Sequence, residues 1–274
     1  MSFSLDNLKK SLLSGDSPTP ALPVSAVIVA AGRGSRMGGV SKPEIKVGGK
    51  TLLNWVLDAF LQSEVREIVI VCGTNRQDLE KWVPKETPVP IRFCKGGKIR
   101  SESVWNGVSA TDKDSLLVCV HDCARPFVTP EIIRSVLEDA RKTGAATACC
   151  PVTDTIKYVD PIHQTVFTPD RSCLTAIQTP QIFRKDWYRI AYAKALEESK
   201  ANGGTFTDES SMLEKAGFPV AYTACASSNI KLTTKEDILT ARAICLLKQR
   251  DEEKEKEKEK EKEQEKENGK EKPL

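Results

Sequence analysis

The chain has 274 residues, 39% of them hydrophobic and 29% charged, with a formal net charge of +3. Residues 251–274 hold eleven acids and eight lysines, so residues 1–250 carry +6, which suits an anionic small substrate better than a nucleic-acid platform. Neither an apolar signal core nor a membrane-length apolar stretch is visible, and nine cysteines, an odd number, read as reduced thiols of a cytoplasmic protein.

In chain order, residues 1–22 read as an N-terminal extension, with Leu5, Leu8, Leu12 and Leu13 at helical spacing before a Ser/Pro-rich link. Val24 to Ala30 is a short β-branched run of the kind that forms a buried parallel strand. It breaks into a loop with glycines at 32, 34, 38 and 39 and cations at 33, 36 and 42. Glycines let backbone N–H groups approach a phosphate, and Arg36 and Lys42 can neutralise it. The loop lacks the Gly-Lys-Ser/Thr of a P-loop, and Met37 stands where a dinucleotide fingerprint needs its third glycine. An ordinary tight turn is the plain alternative.

A helix follows over Leu52 to Leu61, then a strand at Glu67–Cys72, a short helix over Asp78–Val83 and a strand at Ile91–Cys94. Lys95-Gly-Gly-Lys-Ile-Arg-Ser-Glu-Ser103 is a second glycine-containing connection, leading to a helix with Val104 and Val108. Leu116–Val120 reads as a strand and Pro130–Thr143 as a helix. This alternation predicts an α/β fold, a Rossmann-like doubly wound, mostly parallel sheet. Loops 32–42, 95–103 and 121–126 all follow strands and can share one crevice.

Residues 145–183 break the alternation. Ala145–Val152 reads as a strand, and 154–159 with 165–167 as a hairpin within a β-arm over about 152–173. An arm leaving a compact core is expected to pack on a second copy, giving a homodimer. Helices near Trp187–Ser199 and Ser210–Ala216, a strand at Val220–Ala224, the run Asn229–Leu232 and a helix over Lys235–Leu247 complete a domain of residues 23–249. Residues 250–274 form a Lys/Glu tail, either disordered or a solvated extension of that helix, with too little apolar surface to offset ordering.

Asp122 closes a buried strand and needs a partner. It fits a Mg²⁺ site, since that ion takes one or two protein carboxylates and completes its shell with phosphates and water. Arg125 can fix it by a bidentate pair, and the alternative is an aspartate capping the next helix. Cys119, His121 and Cys123 share a strand face but lack a fourth zinc ligand.

Eight motifs stand in order: Ala30-Ala-Gly-Arg-Gly-Ser-Arg-Met37, Gly96-Gly97 with Ser101-Glu-Ser-Val104, His121-Asp-Cys-Ala-Arg-Pro126, Pro151-Val-Thr-Asp-Thr-Ile-Lys157, Asp170-Arg171, Gln178-Thr-Pro-Gln-Ile-Phe183, Thr207-Asp-Glu209 and Asn229-Ile-Lys231. From about residue 24 to 245 the chain resembles the 2-C-methyl-D-erythritol 4-phosphate cytidylyltransferases of the non-mevalonate isoprenoid pathway. The resemblance implies transfer of CMP from CTP to methylerythritol phosphate with Mg²⁺, in a homodimer, with no membrane or nucleic-acid partner. It implies Arg36 and Lys42 as catalytic cations. Ala30, Ala31, Gly32, Gly34, Gly97, Ser103, Asp122 and Arg125 would bind nucleotide, with Asp122 nearest the metal. Thr155, Arg171, Thr179, Thr207 and Lys231 would bind or orient the acceptor, Thr155 and Arg171 reaching it from the partner's arm. Pro43-Glu44 and Lys98 depart from the family pattern. Ribitol-5-phosphate cytidylyltransferase and a non-catalytic scaffold are the rival readings.

Overall fold

The computed structural model describes residues 22–32, 41–74, 76–160, 162, 166–202, 206, 208–250 and 254. The strands are β1 (Val24–Val29), β2 (Lys46–Val47), β3 (Lys50–Thr51), β4 (Glu67–Cys72), β5 (Ile91–Lys95), β6 (Leu117–Asp122), β7 (Ala145–Pro151), β8 (Tyr158–Val159), β9 (Val166–Phe167), β10 (Thr175–Arg184) and β11 (Ala221–Ala224). The helices are α1 (Leu52–Leu61), α2 (Arg76–Glu80), α3 (Arg100–Ala110), α4 (Pro130–Thr143), α5 (Lys185–Asn202), α6 (Glu209–Lys215) and α7, residues 235–250.

Seven strands form one sheet in the order β11-β7-β10-β6-β1-β4-β5. β10 runs antiparallel to β6 and β7, and every other pairing in this sheet is parallel. Pleating sends alternate residues to opposite faces. Ala26, Ile28, Ile68, Ile70 and Cys119 pack under α1, α4 and α7, while Val27, Val69, Val71, Val118 and Val120 pack under α3, α5 and α6. The expected doubly wound sheet is therefore present.

Local chemistry explains the element ends. The Thr51 hydroxyl accepts from the Asn54 N–H to start α1. Thr129 and Pro130 start α4, and Gly144 at φ 91° ends it. The predicted start of α7 also holds: Asp237 accepts from the N–H groups of Thr233 and Thr234, and the Thr234 hydroxyl accepts in return from the Asp237 N–H. In α3, Gly107 lies flat on the sheet, since a Cβ there would stand 2.4 Å from Val27 Cγ1.

Several boundaries differ from expectation. The helix expected over Asp78–Val83 spans Arg76–Glu80, and Leu116 precedes β6, which instead runs on to Asp122. Asn229–Leu232 is irregular, and the arm's two strands are two residues each. The largest miss is β10. Pro180 and the polar Gln178, Thr179 and Gln181 argue against a strand, since proline cannot donate to a ladder. The ladder with β7 is interrupted at Pro180, where the register shifts between Ile177 and Gln181; the Thr179–Pro180 bond is cis.

At the end of the sheet where β1 and β4 begin, Glu67 is 2% exposed. Its Oε1 accepts from the Ser25 hydroxyl at 2.6 Å and the Asp112 N–H at 2.5 Å, and its Oε2 from Arg92. Burial pushes its pKa up, but these donors outweigh burial and the net shift is downward. A carboxylate with a lowered folded pKa contributes stability that is present above the unfolded value and lost as pH falls through the folded one. Glu67→Gln is expected to cost about 2 kcal/mol at pH 7, with the gap to the parent closing below about pH 4. Urea unfolding at pH 7 and pH 3.5 checks this, and a gap of constant size would defeat it.

Candidate active site

The carboxyl ends of β1, β5 and β6 open on a cavity of about 630 Å³. It sits where the chain, having gone from β1 outward to β4 and β5, returns to the other side of β1 as β6. Such a switch point leaves a crevice between diverging loops. Val29–Gly32, Lys42, Pro43, Gly97–Arg100, Ser103, Asp122–Ala124 and Lys231 line it. The described parts of the three loops expected to share a crevice do share it. Four cations and one carboxylate face the space, a balance that favours a polyanion.

The second loop is shaped by close approach. A Cβ on Gly97 would lie 2.2 Å from Glu102 Cβ. The Gly97 N–H donates to Ser103 Oγ at 3.0 Å, and that hydroxyl donates to the Ile99 carbonyl at 3.0 Å. The Lys98 N–H donates to Glu102 Oε2 at 2.7 Å, so the departure at Lys98 leaves the backbone held. Pro43, the other departure, is buried in a 3-10 turn over Lys42–Glu44, where its fixed φ suits the turn. That turn directs Lys42 Nζ to the Leu232 carbonyl at 3.0 Å.

Asp122 is the last residue of β6 and is 6% exposed. Arg100 donates to its Oδ1 from Nε at 3.2 Å and from Nη2 at 2.9 Å, and Lys231 Nζ donates to Oδ2 at 2.6 Å. Burial pushes the Asp122 pKa up, but the two cations outweigh it and hold the carboxyl well below its ordinary range. Arg100 also donates from Nη1 to Glu209 Oε1 at 2.7 Å. Burial lowers the Arg100 pKa, and Glu209 and Asp122 raise it further than burial lowers it.

The expected Arg125–Asp122 pair is not formed. Arg125 donates instead to the carbonyls of Asn229 at 2.8 Å and Ile177 at 3.4 Å, tying β10 to the loop that carries Lys231. Asn229 completes the tie by donating to Gln178 Oε1 and the Thr179 carbonyl. Arg100, which sequence reading passed over, takes the pairing role. The available signal was an arginine between Ile99 and Ser101 at the start of an amphipathic helix, and nothing local distinguishes it from a solvated cation. Glu209 was likewise visible only as part of a motif.

Thr179 is buried, and its hydroxyl accepts from the Asp122 N–H at 3.1 Å and meets His121 Nδ1 at 3.0 Å. His121 Nε2 faces the Arg125 carbonyl at 3.0 Å, which can only accept, so Nε2 carries the proton and Nδ1 accepts from Thr179. Burial pushes the His121 pKa down to about 4. The ring is neutral and is spent on this chain of hydrogen bonds, which fixes the end of β6. Among the described residues no group of three or more His, Cys, Asp or Glu is placed to hold a metal.

The remaining expected residues divide. Ala30, Ala31, Gly32, Gly97, Ser103, Asp122, Lys42 and Lys231 meet at the cavity. Thr155 is exposed on the arm, and Arg171 donates to the Thr153 carbonyl at 2.7 Å beside a second cavity of about 540 Å³ at the arm's root. Arg36, Gly34 and Thr207 lie outside the described residues, as do residues 1–21 and nearly all of the tail.

A single metal carboxylate fits Mg²⁺ only in part. Arg100 occupies two of the roughly four lone-pair directions of the Asp122 carboxylate and Lys231 one, which leaves one on Oδ2 for an ion whose other ligands are substrate phosphates and water.

Residues 24–247 match the family model described as IspD, 2-C-methyl-D-erythritol 4-phosphate cytidylyltransferase. The curated enzyme of that name from Caldanaerobacter subterraneus subsp. tengcongensis is 42% identical over 226 residues, covering 80% of this chain and 96% of that protein. The chloroplastic enzyme of Oryza sativa subsp. japonica is 39% identical, covering 81% of this chain and 74% of that one. Among solved structures, 4-diphosphocytidyl-2C-methyl-D-erythritol synthase of Anaerococcus prevotii superposes with a TM-score of 0.70 at 33% identity, covering 82% of this chain and 98% of the other.

Proposed function

The chain belongs to the 2-C-methyl-D-erythritol 4-phosphate cytidylyltransferase family, and from that membership we propose that residues 23–249 form the catalytic unit that transfers CMP from CTP to methylerythritol phosphate. It is a nucleotidyltransferase of the α/β type. The observation that supports the transfer reading best is the meeting of Lys42, Arg100, Lys231 and Asp122 at one cavity, with Arg100 and Lys231 on the Asp122 carboxylate. In this reaction an acceptor phosphate oxygen forms a bond to the α-phosphorus of CTP, while the bond from that phosphorus to the bridging oxygen breaks and pyrophosphate leaves. The acceptor phosphate is already an anion at neutral pH, so the step needs positioning and charge neutralisation rather than a general base. A neutral, fully bonded His121 agrees with that requirement.

In this reading Gly32, Gly34, Gly97, Ser103, Ala30 and Ala31 hold the nucleotide, and Lys42 with Arg36 neutralises the triphosphate and the transition state. Arg125 acts through the Lys231 loop, and Thr179 by orienting the end of β6. Lys231, Thr207, Thr155 and Arg171 serve the acceptor. Mg²⁺ would be held by Asp122 together with substrate phosphates, and it supplies charge stabilisation on the departing oxygens. The odd number of cysteines suits a reducing compartment such as the cytoplasm. No helix among the described residues is long and apolar enough to cross a membrane.

The test is pyrophosphate release from CTP and Mg²⁺ with methylerythritol phosphate or ribitol 5-phosphate as acceptor. Turnover is expected with the first alone. Turnover with ribitol phosphate alone would reassign the acceptor, and none with either would favour a scaffold.

The homodimer reading is supported by the arm, where Tyr158, Val159, Ile162, Val166 and Phe167 are all exposed and the Tyr158 and Phe167 rings lie 5.0 Å apart. A patch of this kind on a two-stranded ribbon needs a covering surface. Phe167→Asp is expected to give a folded monomer with at least tenfold lower kcat. Sedimentation and circular dichroism check it, and an unchanged sedimentation coefficient would remove the arm from the interface.

A further inference from the structure

Glu209 is buried and is not among the cavity-lining residues, yet its carboxylate holds the cavity's arginine. It opens α6 and is 3% exposed. Its Oε1 accepts from Arg100 Nη1 at 2.7 Å, and its buried Oε2 has no hydrogen-bond partner among the described residues. Its position is fixed by β10: Gln181 Oε1 accepts from the N–H groups of Glu209 at 3.1 Å and Ser210 at 3.0 Å, and Gln181 Nε2 donates to Asp208 at 3.1 Å. A buried carboxylate with one satisfied oxygen is an unfavourable choice for stability alone, where an apolar side chain serves better.

Its effect is on charge and orientation at Asp122. Arg100 spans the two carboxylates with different nitrogens, Nε and Nη2 on Asp122 and Nη1 on Glu209. That fork fixes the guanidinium in one plane, which a lysine cannot reproduce. Burial pushes the Glu209 pKa up and the Arg100 pair opposes it, with the net shift upward; with all four groups ionised, Asp122, Glu209, Arg100 and Lys231 together sum to zero. Without Glu209 the group around Asp122 would be +1, and without Arg100 it would be −1.

We propose that Glu209 is a positioning residue that, through Arg100, orients Asp122 and balances its charge, so that one site accepts both a divalent cation and a triphosphate. This rests on the nucleotidyl-transfer reading above. Because low-dielectric surroundings strengthen each charge, removing either member shifts the two affinities in opposite senses.

The experiment uses the full chain with Glu209→Gln, Arg100→Gln and the double variant. Mn²⁺ binding in the presence of CTP is followed by electron paramagnetic resonance, and CTP binding in EDTA by calorimetry. Glu209→Gln is expected to weaken Mn²⁺ about tenfold without weakening CTP. Arg100→Gln is expected to weaken CTP about tenfold and to tighten Mn²⁺, and the double variant to return Mn²⁺ affinity to within about threefold of the parent. These are the shifts expected of one unit charge near the site. A merely structural role would lower the melting temperature without shifts of opposite sign. Shifts of the same sign, or none, in folded variants overturn the proposal. Should Glu209→Gln fail to fold, Arg100→Lys decides: retained Mn²⁺ affinity with at least tenfold lower kcat at little changed KM for CTP supports the fork, and parental kcat overturns it. A parent protein that binds CTP but releases no pyrophosphate defeats the transfer reading instead, and the binding shifts then judge Glu209 separately.

Discussion

Lys42→Ala is expected to lower kcat/KM by about 10³-fold, with CTP affinity reduced less than kcat. Lys42 opens a turn whose backbone the buried Pro43 fixes, and its ammonium is held by the Leu232 carbonyl at 3.0 Å at the cavity wall, so the charge is in place without reorganisation at the moment of reaction. Charge delivered this way acts on what develops in the transition state rather than on the ground state. Lys42→Arg is expected to recover only part of the loss, because the larger planar head does not fit a position set for a point charge. Steady-state kinetics of both variants test this, and a tenfold loss or less for alanine would show that the neutralising charge comes chiefly from elsewhere in the loop.

Asp122→Ala is expected to abolish measurable transfer and also to destabilise the fold by about 3 kcal/mol. The second effect follows from the partners. Removing the carboxylate leaves Arg100 and Lys231 near each other with their shared counter-charge gone, although Arg100 keeps Glu209. Asp122→Asn is expected to be nearly as inactive but to fold better, since the amide still accepts one hydrogen bond. Comparing urea unfolding and turnover for the two separates the roles. Equal stability of the alanine variant and the parent would mean that solvent already screens the cluster.

Much of the fold was legible in the residues. The short continuous apolar runs at 24–29 and 67–72, buried on both faces, and the amphipathic stripes of α1 and α4 specify their elements locally. The cavity's second glycine-containing loop was legible because glycine marks where backbone must come close, as at Gly97 against Glu102. β10 was not, since it contains a proline and three polar residues whose partners lie far off in sequence. Gln181 is satisfied by α6, and Gln178 by Asn229, 51 positions away. Arg100 escaped notice likewise, because its two carboxylates are 22 and 109 residues distant. Long-range polar pairing leaves no periodic trace, and it is the part of the site that only three-dimensional packing reveals.

The reversal of β10 has a consequence for how freely this protein can vary. A parallel successor to β7 would need a crossover to the far end of the sheet, of fixed minimum span. Instead Pro151 and Thr175 pair directly, so the chain leaves and re-enters through one doorway on the rim. Everything between them is a loop closed by that rung. Closure entropy rises only with the logarithm of loop length, so doubling the excursion costs about 0.6 kcal/mol. The sheet therefore sets no length on this segment, and the limits on its variation come from the arm's own surface and from Thr155 and Arg171 rather than from the strands beneath.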